Sequence, residues 1–108
     1  MINWLEDWYD SQCDDGWEHN YGIKIETIDN PGWEITIDLD EIKEKITLAK
    51  IEWKIIGDFE SKWIGYKIEN NKFNGACSPK NLNLLIFVFK ELIEKGFVDK
   101  DDIKNQIE

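Results

Sequence analysis

Hydrophobic residues recur along this chain with two different periods. Ile2, Leu5, Trp8 and Tyr9 fall on one side of a helix, with Trp4 one turn before Trp8, while Glu6, Asp7 and Asp10 take the other side. That spacing predicts a helix over 2–13, ended by Asp14-Asp15-Gly16. From position 17 the period drops to two. Trp17, His19, Tyr21, Ile23 and Ile25 alternate with Glu18, Asn20, Lys24 and Glu26, which predicts a strand over 17–28. Asp29-Asn30-Pro31-Gly32 is a turn sequence, and Trp33, Ile35, Ile37 and Leu39 alternate again over 33–39. A three-residue loop, Asn30-Pro31-Gly32, pairs Ile25 with Ile37 and Ile23 with Leu39. It sets Lys24 opposite Asp38, with Gly32 in the left-handed conformation.

The charged stretch 40–50 reads equally well as a helical turn around Glu41–Ile46 or as an exposed connection. Three more strands follow: 51–57 with Ile51, Trp53 and Ile55 inward, 62–69, and 72–77, the last two joined by an Asn70-Asn71 turn. Ser78 as N-cap and Pro79 at the first helical position predict a long helix to about Lys95, stopped by Gly96. Its apolar positions run nearly all round, as in a buried helix. Asp99 caps a last short turn through Ile103 and Ile107. Strands grouped between helices, without crossover helices, give an α+β class: an N-terminal helix, about five antiparallel strands, and a long C-terminal helix on one sheet face. The length of 108 residues fits one domain, 1–108.

Charge narrows the function. The chain carries 23 Asp+Glu against 13 basic residues, a formal net charge of −10. Residues 1–41 hold 12 of those acids and a single lysine, together with four of the six Trp. Residues 42–108 are nearly neutral, with 11 acids and 12 lysines. An acidic chain without arginine is a poor candidate for nucleic-acid binding. No basic segment precedes an apolar stretch at the N-terminus, and no apolar run is long enough to span a bilayer, so a cytoplasmic chain without membrane contact is expected. Two free, mostly buried thiols suit that compartment.

Candidate chemistry is thin. Cys13, Asp14, Asp15, His19 and Cys77 are the available metal ligands, with no CxxC or HExxH spacing. No cofactor is expected. Cys77 lies just before a predicted helix N-terminus, where the dipole lowers a thiol pKa, but the sole imidazole, His19, is far away in sequence. A small-molecule or carbohydrate-binding module, or a minor hydrolase using Glu18 and His19, is the alternative class; it requires a Trp-lined pocket. The anionic field of the first third instead suits a cationic protein partner, because such a field speeds encounter and discriminates partners. A monomer or weak dimer is expected.

Trp4-Leu5, Trp8-Tyr9, Cys13-Asp14, Trp17-Glu18-His19, Tyr21-Gly22-Ile23 and Asp29-Asn30-Pro31-Gly32-Trp33 resemble the immunity protein 53 family of bacterial polymorphic toxin systems. Asn81-Leu82 and Leu85 in the late helix fit the same pattern. The resemblance implies a small non-enzymatic protein that neutralises a toxin encoded beside it. Many such toxins are basic nucleases, by analogy. Asp7, Asp10, Asp14, Asp15, Glu18 and Glu34 are the expected charges of the partner-binding surface, with Trp17 and Trp33 as its aromatic anchors.

Overall fold

The computed structural model describes residues 1–45 and 48–108. Helix α1 (Ile2–Gln12) and a single turn α2 (Trp17–Asn20) precede the strands β1 (Ile23–Ile28), β2 (Gly32–Asp38), β3 (Ile51–Gly57), β4 (Trp63–Glu69) and β5 (Lys72–Cys77). Helices α3 (Leu82–Lys95) and α4 (Lys100–Gln106) follow. The five strands form one antiparallel sheet in the order β1-β2-β5-β4-β3. The predicted α+β class and the helix–sheet–helix order are therefore present.

The core lies between one sheet face and the helices. Ile35, Ile37, Ile64, Tyr66, Ile68 and Phe73 are buried on that face, and α3 covers them with Leu85, Val88, Phe89 and Leu92. Phe89 joins the layers: its ring centre lies 5.2 Å from Phe73 on the sheet, and 5.1 Å and 5.9 Å from Trp8 and Trp4 on α1. Helix α1 thus belongs to the helical layer. The opposite face of the sheet carries Lys24, Glu26, Glu34, Thr36, Lys67 and Asn74.

Several expectations are corrected. The strand expected over 17–28 is a helical turn followed by a shorter strand. Asp14 takes the N–H groups of Gly16 and Trp17 at 3.0 and 2.9 Å, and Glu18 takes those of Asp14 and Asp15 at 3.0 and 2.9 Å. These local carboxylate bonds favour a turn over an extended ladder, and Trp17 folds inward against Trp8. The β1–β2 register is two residues from the expected one: Ile23 faces Ile37, Ile25 faces Ile35, and Lys24 faces Thr36. The shift is even, so the apolar face is kept. The loop is Asp29-Asn30-Pro31, and Gly32 is an extended strand residue at φ 159°. A Cβ there would lie 2.1 Å from the Cys77 carbonyl oxygen, so glycine lets β2 approach β5. Asp38 consequently pairs with Lys72 rather than Lys24, whose ammonium lies 3.7 Å from Glu26.

On β3 a bulge between Ile51 and Lys54 inserts a residue, so Trp53 and Ile55 face outward instead of inward. Trp53 is 45% exposed and rests on Gly65, where a Cβ would come within 2.7 Å of its ring. The long helix starts at Leu82, not Pro79. Ser78 is taken by strand β4, accepting from the Trp63 N–H at 3.0 Å and donating to the Trp63 carbonyl at 3.2 Å. Asn81 clasps the Glu108 backbone through a donated 2.8 Å and an accepted 2.9 Å bond. Gly96 is the left-handed C-cap at φ 83°, and Asp99 caps α4 through the Asp101 and Asp102 N–H groups, both as expected. Of the ambiguous 40–50 stretch, Ile46 and Thr47 lie outside the described residues.

Candidate functional site

Helix α1 buries Leu5, Trp8 and Gln12 and turns Glu6, Asp7 and Asp10 to solvent. Carboxylates three and four residues apart on a helix repel one another, and an acid near the C-terminus opposes the macrodipole. The helix has no basic residue to offset either effect. Helix α3 has the opposite design: Lys90 meets Glu94 at 2.7 Å and Lys95 meets Glu91 at 3.1 Å, each pair one turn apart. Among the described residues, two of the first 41 residues' acids meet a lysine and a third lies beside the His19 imidazole. Asp15 lies 3.6 Å from His19, Glu26 lies 3.7 Å from Lys24, and Asp38 bonds Lys72. The exposed acids of α1 belong to the unpaired majority.

The structure separates the expected surface into two parts. Asp7 and Asp10 on α1, with Asp14 and Asp15 in the loop after it, lie on the helical side. Glu34 lies on the opposite sheet face, directly across from Glu26, and does not join them. Trp17 is 2% exposed and donates through Nε1 to the Asp40 carbonyl at 2.8 Å, so its ring is core and not contact surface. Trp33 is half-buried and donates to the Pro79 carbonyl at 2.9 Å. Glu18 is half-buried, its two oxygens engaged by the loop N–H groups.

Asp14 and Glu18 thus shape the surface as well as charging it. The Trp17 N–H, then that of Gly16, holds the Asp14 carboxyl below its ordinary pKa. Glu18 is lowered first by its own backbone N–H, then by those of Asp14 and Asp15. A lowered folded pKa adds stability above the unfolded value, and that stability is lost as pH falls through the folded one. The α1–α2 loop should therefore loosen below about pH 4, the ordinary carboxylate range, while it stays fixed from there to neutrality. Amide hydrogen exchange at Gly16 and Trp17 measures this: protection is expected to fall on acidification, and Asp14→Ala should remove it at every pH while Asp14→Asn retains part.

A further carboxylate, Glu44, fixes the next segment against α1. The Glu44 carboxylate accepts from Trp8 Nε1 at 2.9 Å and from Gln12 Nε2 at 3.1 and 3.2 Å. Gln12 Oε1 in turn accepts the Lys43 N–H at 2.8 Å. Glu44→Ala strands two donors, both on buried side chains, and is expected to cost about 1–3 kcal/mol. Thermal denaturation checks it, with Glu44→Gln expected to recover most of the loss. The signal was invisible in sequence because the partners are 32 and 36 residues apart.

Other chemistry finds little support. Asp15, Glu18 and His19 offer ligand atoms within 4.8 Å of one another, but Glu18 is already engaged. Cys77 is buried in β5, and burial pushes its thiol up to about 11, against the lowering that a helix N-terminus would give. Trp8, Trp17 and Trp63 are buried and offer no sugar-stacking face, and Trp53, though exposed, lies on the outer sheet face and not beside them. No helix among the described residues is long and apolar enough to cross a membrane. Tyr9 has the spacing of the core side of α1 but is 40% exposed and lies beside the acids. No curated protein and no solved structure matches the chain. The family model described as immunity protein 53 matches residues 2–94, from the start of α1 to the last turn of α3. The match spans all five strands and most of the helical layer: the chain belongs to the immunity protein 53 family.

Proposed function

We propose that this protein neutralises a basic toxin domain by binding, not by catalysis, and that the contact is the anionic helical side of the molecule. Asp7 and Asp10, the Asp14-Asp15 loop and Tyr9 form its centre. The observation that carries this reading is the contrast between the two helices: α3 pairs its acids one turn away, whereas α1 leaves Glu6, Asp7 and Asp10 unpaired. Such repulsion lowers helix stability by a few tenths of a kcal/mol per pair. A basic partner relieves it on binding, so the same charges that cost the free protein stability favour the complex. Glu34 and Trp33 stand outside this contact in our reading. The toxin's active site is covered sterically while the field orients the approach.

The test is co-expression. The C-terminal domain of the protein encoded immediately upstream is expected to arrest growth alone and to be harmless beside this chain, with the two co-purifying. Growth arrest that persists with both proteins present at equal levels would remove the proposal.

A further inference from the structure

Helix α1 has a second apolar stripe that the core does not use. Ile2 and Tyr9, two turns apart, are 52% and 40% exposed, on the flank that also carries Glu6. They face the start of β1, and together with Leu5, Glu6, Gly22 and Ile23 they line an open groove of about 350 Å³. The Tyr9 ring is held from behind, edge-on to the buried Trp17 ring at 6.1 Å and 67°. Its position is therefore set before any partner arrives, which limits the entropy lost on binding. Among the described residues strand β1 has β2 as its one neighbour, so the groove runs beside an open sheet edge with unpaired backbone groups.

We infer that this groove receives an extended basic segment of the toxin, with one apolar side chain seated between Ile2 and Tyr9. This rests on the proposed toxin-binding reading and deepens it by naming the anchor. The sign of the partner follows from its rim: Glu6 lies in the groove and Asp10 one turn on, without a lysine in α1. Lys24, the nearest cation on β1, is held toward Glu26 at 3.7 Å. A second copy of this chain is disfavoured because each carries a formal charge of −10. The open edge supplies N–H and C=O groups to an extended segment, and the aromatic–aliphatic pair supplies the buried centre that such contacts rely on.

The probe is the C-terminal domain encoded upstream, in a non-toxic form, titrated against this protein by calorimetry. Tyr9→Ser is expected to weaken binding about 30-fold, the size of an interface anchor. Gly22→Leu fills the groove without removing any contact, since a Cβ at Gly22 meets nothing within 4 Å. It is expected to weaken binding about tenfold or more with an unchanged melting temperature. Trp53→Ser, on the outer sheet face, is expected to bind as the parent does. If Asp7→Lys with Asp10→Lys weakens binding but Tyr9→Ser and Gly22→Leu do not, the groove is overturned and the toxin-binding reading stands. If only Trp53→Ser weakens it, the contact lies on the outer sheet face and the inference is overturned. No binding by the parent protein overturns both.

Discussion

Replacing Phe89 with alanine is expected to cost about 3–5 kcal/mol, the usual range for deleting a fully buried aromatic side chain. Against a total of about 5–15 kcal/mol for a domain, that is a large share of the stability. The reason lies in where the ring sits. It touches Phe73 from the sheet, Trp8 and Trp4 from α1, and is itself part of α3, so three elements meet on one side chain. Its loss leaves a cavity that none of the three can close without moving the other two. Urea denaturation measures the effect as a fall in midpoint, and Phe89→Leu should lose less because it retains most of the volume. A cost below about 1 kcal/mol, the size expected of a surface change, would mean that α1 is not held through this ring. Because α1 carries the candidate binding acids, the same cluster positions the functional surface.

Reversing two charges on α1 is expected to separate binding from stability. Asp7→Lys with Asp10→Lys changes the local charge by four units at the centre of the proposed contact. Toxin affinity should fall about 100-fold or more at low salt, about 2.8 kcal/mol. The free protein should become slightly more stable. The substitution turns the Glu6–Asp10 repulsion into an attraction and places a lysine near the helix C-terminus, both favourable, while the repulsion between positions 7 and 10 is only exchanged for one between two lysines. A loss of binding with an unchanged or raised melting temperature is thus the expected pattern. Weakened binding together with lowered stability would instead make these acids structural.

The parts of this fold that the sequence revealed are those governed by local pattern. The alternation in β2, β4 and β5, the αL glycine after α3 and the Asp99 cap each depend on residues within a few positions. The errors arose where a distant or competing contact decided the outcome. Trp17 to Tyr21 alternate like a strand, yet the Asp14 and Glu18 carboxylates bend the backbone into a turn. Trp53 has the spacing of an inward residue, but a bulge turns it to solvent. Ser78 has the chemistry of a helix cap and is taken by the backbone of β4. The charge asymmetry was legible at once, whereas its division between two faces was not, because that depends on which side of the sheet α1 packs against. Tyr9 has the same helical spacing as Trp8, yet it shares an exposed flank with Ile2 that depends on where β1 starts.

If unpaired negative charge on α1 meets a positively charged toxin, salt governs that encounter. Its most direct measurement is the association rate constant between this protein and the upstream-encoded toxin domain as a function of ionic strength. A fall of about tenfold or more between 20 and 500 mM salt is expected, with a much smaller change in the dissociation rate, as for electrostatically steered partners. An association rate independent of salt over that range would contradict it.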